Sequence, residues 1–504
     1  MPQTGQETCY YSSGKKLFPC YETGQDGDIR AGVTLPQDRF IADKNETITD
    51  KLTGLMWVQK GNTPNVTLCN GGAQTWQSSL EYVQCLNNNT YLGYSDWRMP
   101  NIREIESLKN LGKPKISKWL NKNGFFKVKS EWYWSSTSYP DNKSSALIFD
   151  MQTGEIDSGD KNNDIHYILP VRSVDKSKKF SEPIIQLPQT GQIKCYDSSG
   201  LEIPCNKTGQ DGNTKTGADL PKHRFVDNGN GSINDKSTGL SWAKELNSSL
   251  EESCSGEAQT WSNALGYIEC LNNARYLGHK DWRLPNRNEL LSLIDYSNNN
   301  PALPKDNPFV NIESDYLWSS STDSSKKSNA WLVRMSDGDV ASSDKDNNFH
   351  VLPVRAGKPG PALTSDLKVI SSKVKYNNHT NIKYDKYEIT VTIKNIGDAK
   401  SSSFNVGLLM SSYPLTSYQS VRERLAIGYG PIAKKRCEGL KKGETKTITF
   451  TSRTYSYTST YRGVFLDYDF ETLETNYNNN LSDPIDIITP RSPDTPLSLP
   501  FLHQ

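Results

Sequence analysis

Tyr91-Leu92-Gly93-Tyr94-Ser95-Asp96-Trp97-Arg98-Met99-Pro100-Asn101 returns 185 residues later as Tyr276-Leu277-Gly278-His279-Lys280-Asp281-Trp282-Arg283-Leu284-Pro285-Asn286, with eight of the eleven positions identical. In both stretches the Pro, and the Glu four residues after it (Glu104, Glu289), read as helix-start signals. The amphipathic segments that follow, residues 102–109 and 287–293, are expected to be short helices.

Working outward, the same register holds over a whole domain. Thr23-Gly24-Gln25-Asp26-Gly27 matches residues 208–212, and Arg39-Phe40 matches Arg224-Phe225. Thr53-Gly54-Leu55 with Trp57 matches Thr238-Gly239-Leu240 with Trp242. Trp134-Ser135-Ser136 matches Trp318-Ser319-Ser320, and Pro170-Val171-Arg172 matches Pro353-Val354-Arg355. Copy one therefore spans 1–173 and copy two 187–356, joined by a Lys-rich linker at 174–186. Residues 74–86 and 259–271 carry helical spacing. A Gly/Pro-rich hinge at 357–365 precedes a region, 366–488, of strictly alternating runs such as Tyr387-Glu388-Ile389-Thr390-Val391-Thr392-Ile393. That period is the mark of half-buried strands, here forming an antiparallel β-sandwich. The Pro-rich tail at 489–504 is expected to be extended.

Composition narrows the class. Hydrophobic content is only 34%, yet the chain holds 11 Trp, 25 Tyr and 14 Phe, so its apolar mass sits in aromatics rather than in a disordered composition. The net charge of +1 gives no overall field to attract nucleic acid or an anionic membrane. No apolar run is long enough for a transmembrane helix. Eight of the nine cysteines recur in register, and both inner pairs are spaced by 16. Disulfides Cys9–Cys20, Cys69–Cys85, Cys195–Cys205 and Cys254–Cys270 follow, as expected of an oxidising compartment. Cys437 is left over, either as a buried free thiol or as an intermolecular crosslink. A secreted or cell-surface location is expected, with the export signal missing from this sequence.

These motifs resemble the Lcl C-terminal domain family, found on bacterial surface and secreted proteins. Its marks stand here as the ThrGlyLeu…Trp strand, the AspTrpArg-x-Pro turn with a following Glu, the TrpSerSer strand and the closing Pro-Val-Arg, in both copies. The resemblance implies two α+β C-type-lectin-like domains, related also to formylglycine-generating enzymes, and one member family binds sulfated glycans in adhesion. Residues 366–483 resemble a CARDB module through Val391-Thr392-Ile393-Lys394-Asn395-Ile396-Gly397, residues 443–447 and residues 474–480, which implies an all-β immunoglobulin-like sandwich. The expected fold class is thus multidomain: two α+β lectin-like domains and one immunoglobulin-like sandwich.

The Asp-Trp-Arg turns read as a structural clasp of Asp96, Trp97, Arg98 and Glu104, repeated as Asp281, Trp282, Arg283 and Glu289. The other reading is a bidentate clamp on a polar ligand. Whether the two glutamates pair with Arg98 and Arg283 or with Arg172 and Arg355 stays open. The candidate ligand face lies between TrpSerSer and the closing Arg. It comprises Tyr139, Asn142, Lys161, Asn162 and Asn163 in copy one, and Asp323, Trp331, Arg334, Lys345, Asn347 and Asn348 in copy two. Amides, hydroxyls and aromatics suit adaptable binding, but the same residues also suit a polar hairpin turn with no ligand.

Residues 227–232 imitate the start of a calcium loop. Position 12 is Thr238 instead of Glu, so a hairpin turn is expected and no metal. Leu187-Pro188-Gln189-Thr190-Gly191 spells a sorting signal but is internal, and is discounted. No catalytic motif is present, and the repeated His166 and His350 read as structural. No cofactor and no enzymatic activity are expected. The leading expectation is a secreted or surface adhesin binding a glycan or a surface-protein ligand through two lectin-like domains. The alternative is a self-associating subunit of an extracellular filament or sheath, assembled through its sandwich edge or terminal segments.

Overall fold

The computed structural model describes the chain apart from residues 175–182, 247–253, 313–314, 357–366, 377–383, 397–400, 402, 413, 416–430, 456–459, 467–480, 483 and 488–504. Most of the expected linker, the hinge, residues 474–480 and the tail lie outside the described residues. The chain divides into two compact units, Met1–Lys358 and Pro359–Gln504.

Within the first unit each copy builds two small antiparallel sheets. In copy one, Phe40–Ala42, Thr47–Asp50, Leu55–Val58 and Val171–Ser173 form a four-stranded sheet. In copy two the same sheet is Phe225–Asp227, Ser232–Asp235, Leu240–Ala243 and Val354–Ala356. The second sheet of copy one is Trp132–Ser138, Ser145–Asp150 and Ile156–Asp160, and that of copy two is Tyr316–Thr322, Asn329–Arg334 and Val340–Asp344. These do not remain separate. The last strands pair antiparallel at Ile156 and Val340, making one six-stranded sheet across both copies.

The long helices run Trp76–Asn88 and Trp261–Asn273, two residues beyond the expected spans, each N-capped by a threonine (Thr75, Thr260). The short helices after the repeated turn run Ile102–Ser107 and Arg287–Leu293. Each starts with a full capping box, Asn101 with Glu104 and Asn286 with Glu289. Copy one has a further helix, Ile116–Lys122, that the sequence reading did not anticipate.

Nine of the 11 tryptophans are fully buried, so the aromatics do carry the core of a chain poor in aliphatics. One apolar cluster runs continuously through both copies, from Ile48 and Trp57 to Trp331 and Val354. The two copies of the domain therefore share one core. A half-sheet with an unpaired edge and an incomplete core gains more by closing on its twin than by facing water.

The second unit is an antiparallel sandwich. Leu367–Tyr376, Tyr384–Asn395 and Thr445–Tyr455 form one sheet, and Ala433–Cys437, Phe404–Ser411, Thr460–Leu466 and Ile485–Ile487 the other. Tyr387, Ile389, Val391 and Ile393 point into its core, as the alternation required.

Candidate functional site

Ahead of its first sheet each copy has an arm, residues 1–34 and 187–219, that carries the outer disulfide and lies across the other copy. The recurrent ThrGlyGlnAspGly motif is what docks it. Asp26 of the first arm accepts hydrogen bonds from Thr4 Oγ1, at 2.7 Å, and from Ser321 Oγ of copy two. Asp211 of the second arm accepts from Thr190 Oγ1 and from Thr137 Oγ1 of copy one, both at 2.7 Å. Burial pushes both carboxyls up to about 6, against the opposing pull of their hydroxyl donors. The next residue has to be glycine. A Cβ on Gly27 would stand 2.6 Å from Thr8 O, and one on Gly212 would stand 2.2 Å from Lys194 O.

Beside the aspartates, a glutamine from each arm continues the other copy's strand. Ser138 N donates to Gln192 Oε1 and Thr322 N to Gln6 Oε1, each at 3.0 Å, and each glutamine amide donates back to the same residue's carbonyl. The seam is completed by two buried lysines. Lys345 Nζ donates to Thr322 Oγ1 at 2.9 Å and to the arm carbonyls of Tyr10 and Tyr11 at 3.4 and 3.5 Å. Lys161 Nζ donates to Ser138 Oγ at 3.0 Å, Lys143 O at 2.8 Å and Asp197 O at 3.5 Å. Their ammonium groups sit 4.0 Å above the Trp261 ring and 4.3 Å above the Trp76 ring. Burial draws both down to about 7.

The expected ligand face is thus largely occupied from within. Lys161 and Lys345 are fully buried under the arms. Trp331 is buried with the Arg287 guanidinium 4.5 Å above its ring. Asp323 is buried and accepts from Ser325 and Ser342. Tyr139 donates its hydroxyl to Asp337 of the other copy at 2.7 Å, and Arg334 pairs with that same carboxylate. For these six residues the chemistry of an adaptable surface meets other parts of the same chain, not an open face. The asparagines differ: Asn142, Asn162, Asn163, Asn347 and Asn348 are exposed.

The clasp residues sit as a crossed pair of ion pairs. Arg98 forks onto Glu104, with Nη1–Oε2 2.5 Å and Nη2–Oε1 2.7 Å, and Arg283 onto Glu289 with both contacts at 2.6 Å. Asp96 takes Arg172 instead, at 2.6 and 3.0 Å, and Asp281 takes Arg355 at 2.8 and 3.0 Å. Trp97 and Trp282 are buried between them. The aspartate and arginine of one turn therefore serve different partners, tying the turn both to the next helix and to the closing strand.

One open concavity lies where copy one meets the second arm. This cleft, about 440 Å³, is lined by Lys143, Lys194, Tyr196, Asp295, Asn298 and Lys305 among others. The Lys143 ammonium stands 5.3 Å over the Tyr196 ring, and burial lowers its pKa. Asp141 accepts from Asn299 Nδ2 at 3.2 Å, and Asn162 Nδ2 donates to Ser198 O at 3.0 Å, so two of the copy-one loops around it are fastened to copy two. The pseudo-symmetric counterpart is Lys327, 5.3 Å over the Tyr10 ring. Neither tyrosine stood out in the sequence. Their signal was position, two residues or fewer from a cysteine in a recurring polar arm.

All four disulfides are formed, Cys9–Cys20, Cys69–Cys85, Cys195–Cys205 and Cys254–Cys270. Cys437 is a free thiol inside the sandwich core. Residues 227–232 make the turn of a hairpin, with Asp227 paired to Lys244 at 2.7 Å. Among the described residues no group of His, Cys, Asp or Glu is arranged to hold a metal ion, and no helix is long and apolar enough to cross a membrane. His166 packs edge-on against the Trp134 ring, with its pKa lowered by burial.

Two domains of one family followed by a β-sandwich of another define the class: a multidomain, sheet-rich, disulfide-bonded protein compatible with an extracellular or surface location. The chain belongs to the Lcl C-terminal domain family, matched at residues 46–172 and 231–355, and it carries a CARDB domain at residues 364–483. Two solved structures of the CARDB domain of the PF1109 protein from Pyrococcus furiosus are similar to it at 19% identity and a TM-score of 0.18, each over 25% of this chain. One is a crystal structure in complex with di-metal ions, covered over 89% of its length, and the other a solution structure, covered over 95%. No curated protein matches the chain.

Proposed function

We propose that the protein is a secreted or cell-surface binding protein, an adhesin that takes a glycan or protein ligand on its two-copy unit, and that it is not an enzyme. The observation that carries this reading is the open cleft at the seam, where Lys143 over Tyr196 stands among two further lysines, Lys194 and Lys305, and the amide of Asn298. A ring, an amide, ammonium groups and the carboxylates of Asp295 and Asp306 in an open concavity suit a hydroxyl-rich ligand. The contact of Lys327 over Tyr10 repeats that of Lys143 over Tyr196 on the same body, and a ligand held at both would gain avidity for a repeating polymer.

Binding of the full chain to an array of neutral and acidic glycans tests it. Tyr196→Ala with Tyr10→Ala is expected to lower the bound signal at unchanged melting temperature. A full signal from that double variant would remove the cleft as the site.

A second reading, self-association into a filament, is supported by the edge strand Leu367–Tyr376 of the sandwich, on which Ile370 and Val374 are 48% and 40% exposed. Concentration-dependent polymers in electron micrographs, lost in Ile370→Lys, would favour it.

A further inference from the structure

A separate cavity of about 300 Å³ lies deeper in the same body, between the beginnings of the two arms and the short helices of the two copies. Its lining is part charged and part aliphatic. In the charged part, Arg103 and Lys109 come from copy one, with Glu106 between them. Arg224, also in the lining, is already forked onto Asp235. Arg103 donates only to the carbonyls of Leu291 and Ile294, and its Nε has no partner. Lys109 is paired with Glu106, and the buried Arg287 guanidinium lies 3.9 Å from that same carboxylate. Two cations, Lys109 and Arg287, therefore share the single carboxylate of Glu106, while Arg103 faces the cavity with carbonyl partners only. Buried positive charge in excess of its counter-ions is costly unless an anion joins it. Burial first, and the nearby Arg287 and Arg39 guanidiniums second, hold the Lys109 pKa well below its ordinary value.

Leu187, Pro188, Leu220, Pro221 and Leu291 supply the aliphatic part of the lining, to which Asp219 adds one further carboxylate. The aliphatic part offers an anion nothing, and it suits an apolar body of a few carbons. Among the described residues no aromatic ring lines the cavity, and none of them offers a stacking platform for a sugar. We propose that this cavity binds a small organic carboxylate, its carboxylate toward Arg103 and Lys109 and its apolar body against Leu187, Leu220 and Leu291. The site is distinct from the open cleft and does not depend on the adhesin reading.

The test is calorimetric titration of the full chain with 4-methylpentanoate and with benzoate, each beside its primary amide, and with sodium sulfate. At least one acid is expected to bind one to one, and its amide about tenfold more weakly or worse, the loss that follows from removing a charged hydrogen-bonding group. Arg103→Met should abolish the heat. Because Arg103 also bridges the copies, a second variant is needed: Leu220→Trp fills the cavity from its aliphatic side, leaves those bridging bonds intact, and should also abolish the heat in a protein that melts as the parent does. The proposal is overturned if neither acid binds, if amide and acid bind equally, if sulfate binds as well as the acids do, or if Leu220→Trp leaves the affinity unchanged.

Discussion

Val340 pairs with Ile156 across the middle of a six-stranded sheet, and the two residues are the same position in their respective copies. Trp134 and Trp318 are separated by the same 184 residues as this pair. An element that pairs antiparallel with its own equivalent lies on a twofold axis, so the first 358 residues are built as an isologous dimer within one chain. The exchanged arms obey the same symmetry, Asp26 reaching Ser321 as Asp211 reaches Thr137.

The first prediction concerns residues that read as a binding face in the sequence. Lys345→Ala removes the donor to Thr322 and to two arm carbonyls, and should cost about 1–3 kcal/mol of stability. Trp331→Ala opens a cavity in the shared core and should cost about 3–5 kcal/mol. Asn347→Ala, on an exposed turn, should stay within about 0.5 kcal/mol. Urea melts of the three variants give the ranking.

The second follows from the arm glycines. Gly27→Ala and Gly212→Ala drive a methyl into the backbone oxygens of Thr8 and Lys194, neither of which is the movable end of a side chain. Each should lower stability by roughly 1–3 kcal/mol, the cost of overpacking. Gly72→Ala serves as a contrast, since its Cβ would meet no atom within 4 Å and the only penalty there is its positive φ.

The third is a pH dependence. Asp26 and Asp211 have folded values of about 6, raised by burial above the ordinary carboxylate value of 3.8. A raised carboxyl contributes stability that is complete below the unfolded value and is lost as pH rises through the folded one. Between pH 4 and pH 6, the parent should therefore lose stability relative to the Asp26→Asn, Asp211→Asn double variant, by at most about 3 kcal/mol per carboxyl, and the difference should be flat above pH 7. Guanidinium melts of both proteins across that range check the sign.

The fourth tests the clasp. Arg98→Ala leaves Glu104 buried without its fork and should cost about 3–5 kcal/mol. Arg172→Ala faces an aspartate that is 58% exposed, so water replaces much of what is lost and the cost should be smaller, about 0–1 kcal/mol from the ion pair itself.

The repeat was legible because it rests on local rules. Pro100 and Glu104 announce a helix start, the 16-residue cysteine spacing announces a loop, and the alternation around Ile389 announces a strand. The partner of each clasp arginine was not legible, because Arg98 has carboxylates on either side of it and geometry alone assigns Glu104 to it and Asp96 to Arg172. The larger omission was the seam. A hydroxyl or lysine that will bond another part of the same chain has the same chemistry as one that will bond a ligand. Lys161 therefore looked like a recognition residue, and it is one, but for the second arm, beside Thr137 and Ser138. The recurrence of Asp26-Gly27 in a polar stretch was the available sign that those arms had a shared structural duty.

The most direct measurement is to place a specific protease site within residues 175–182, cut the purified protein there, and pass it over a size-exclusion column without denaturant. If the two copies are one body with exchanged arms, the halves will elute together at the mass of the uncut protein and separate only at the denaturant concentration that unfolds it. Two halves that elute apart in native buffer, each folded, would contradict it.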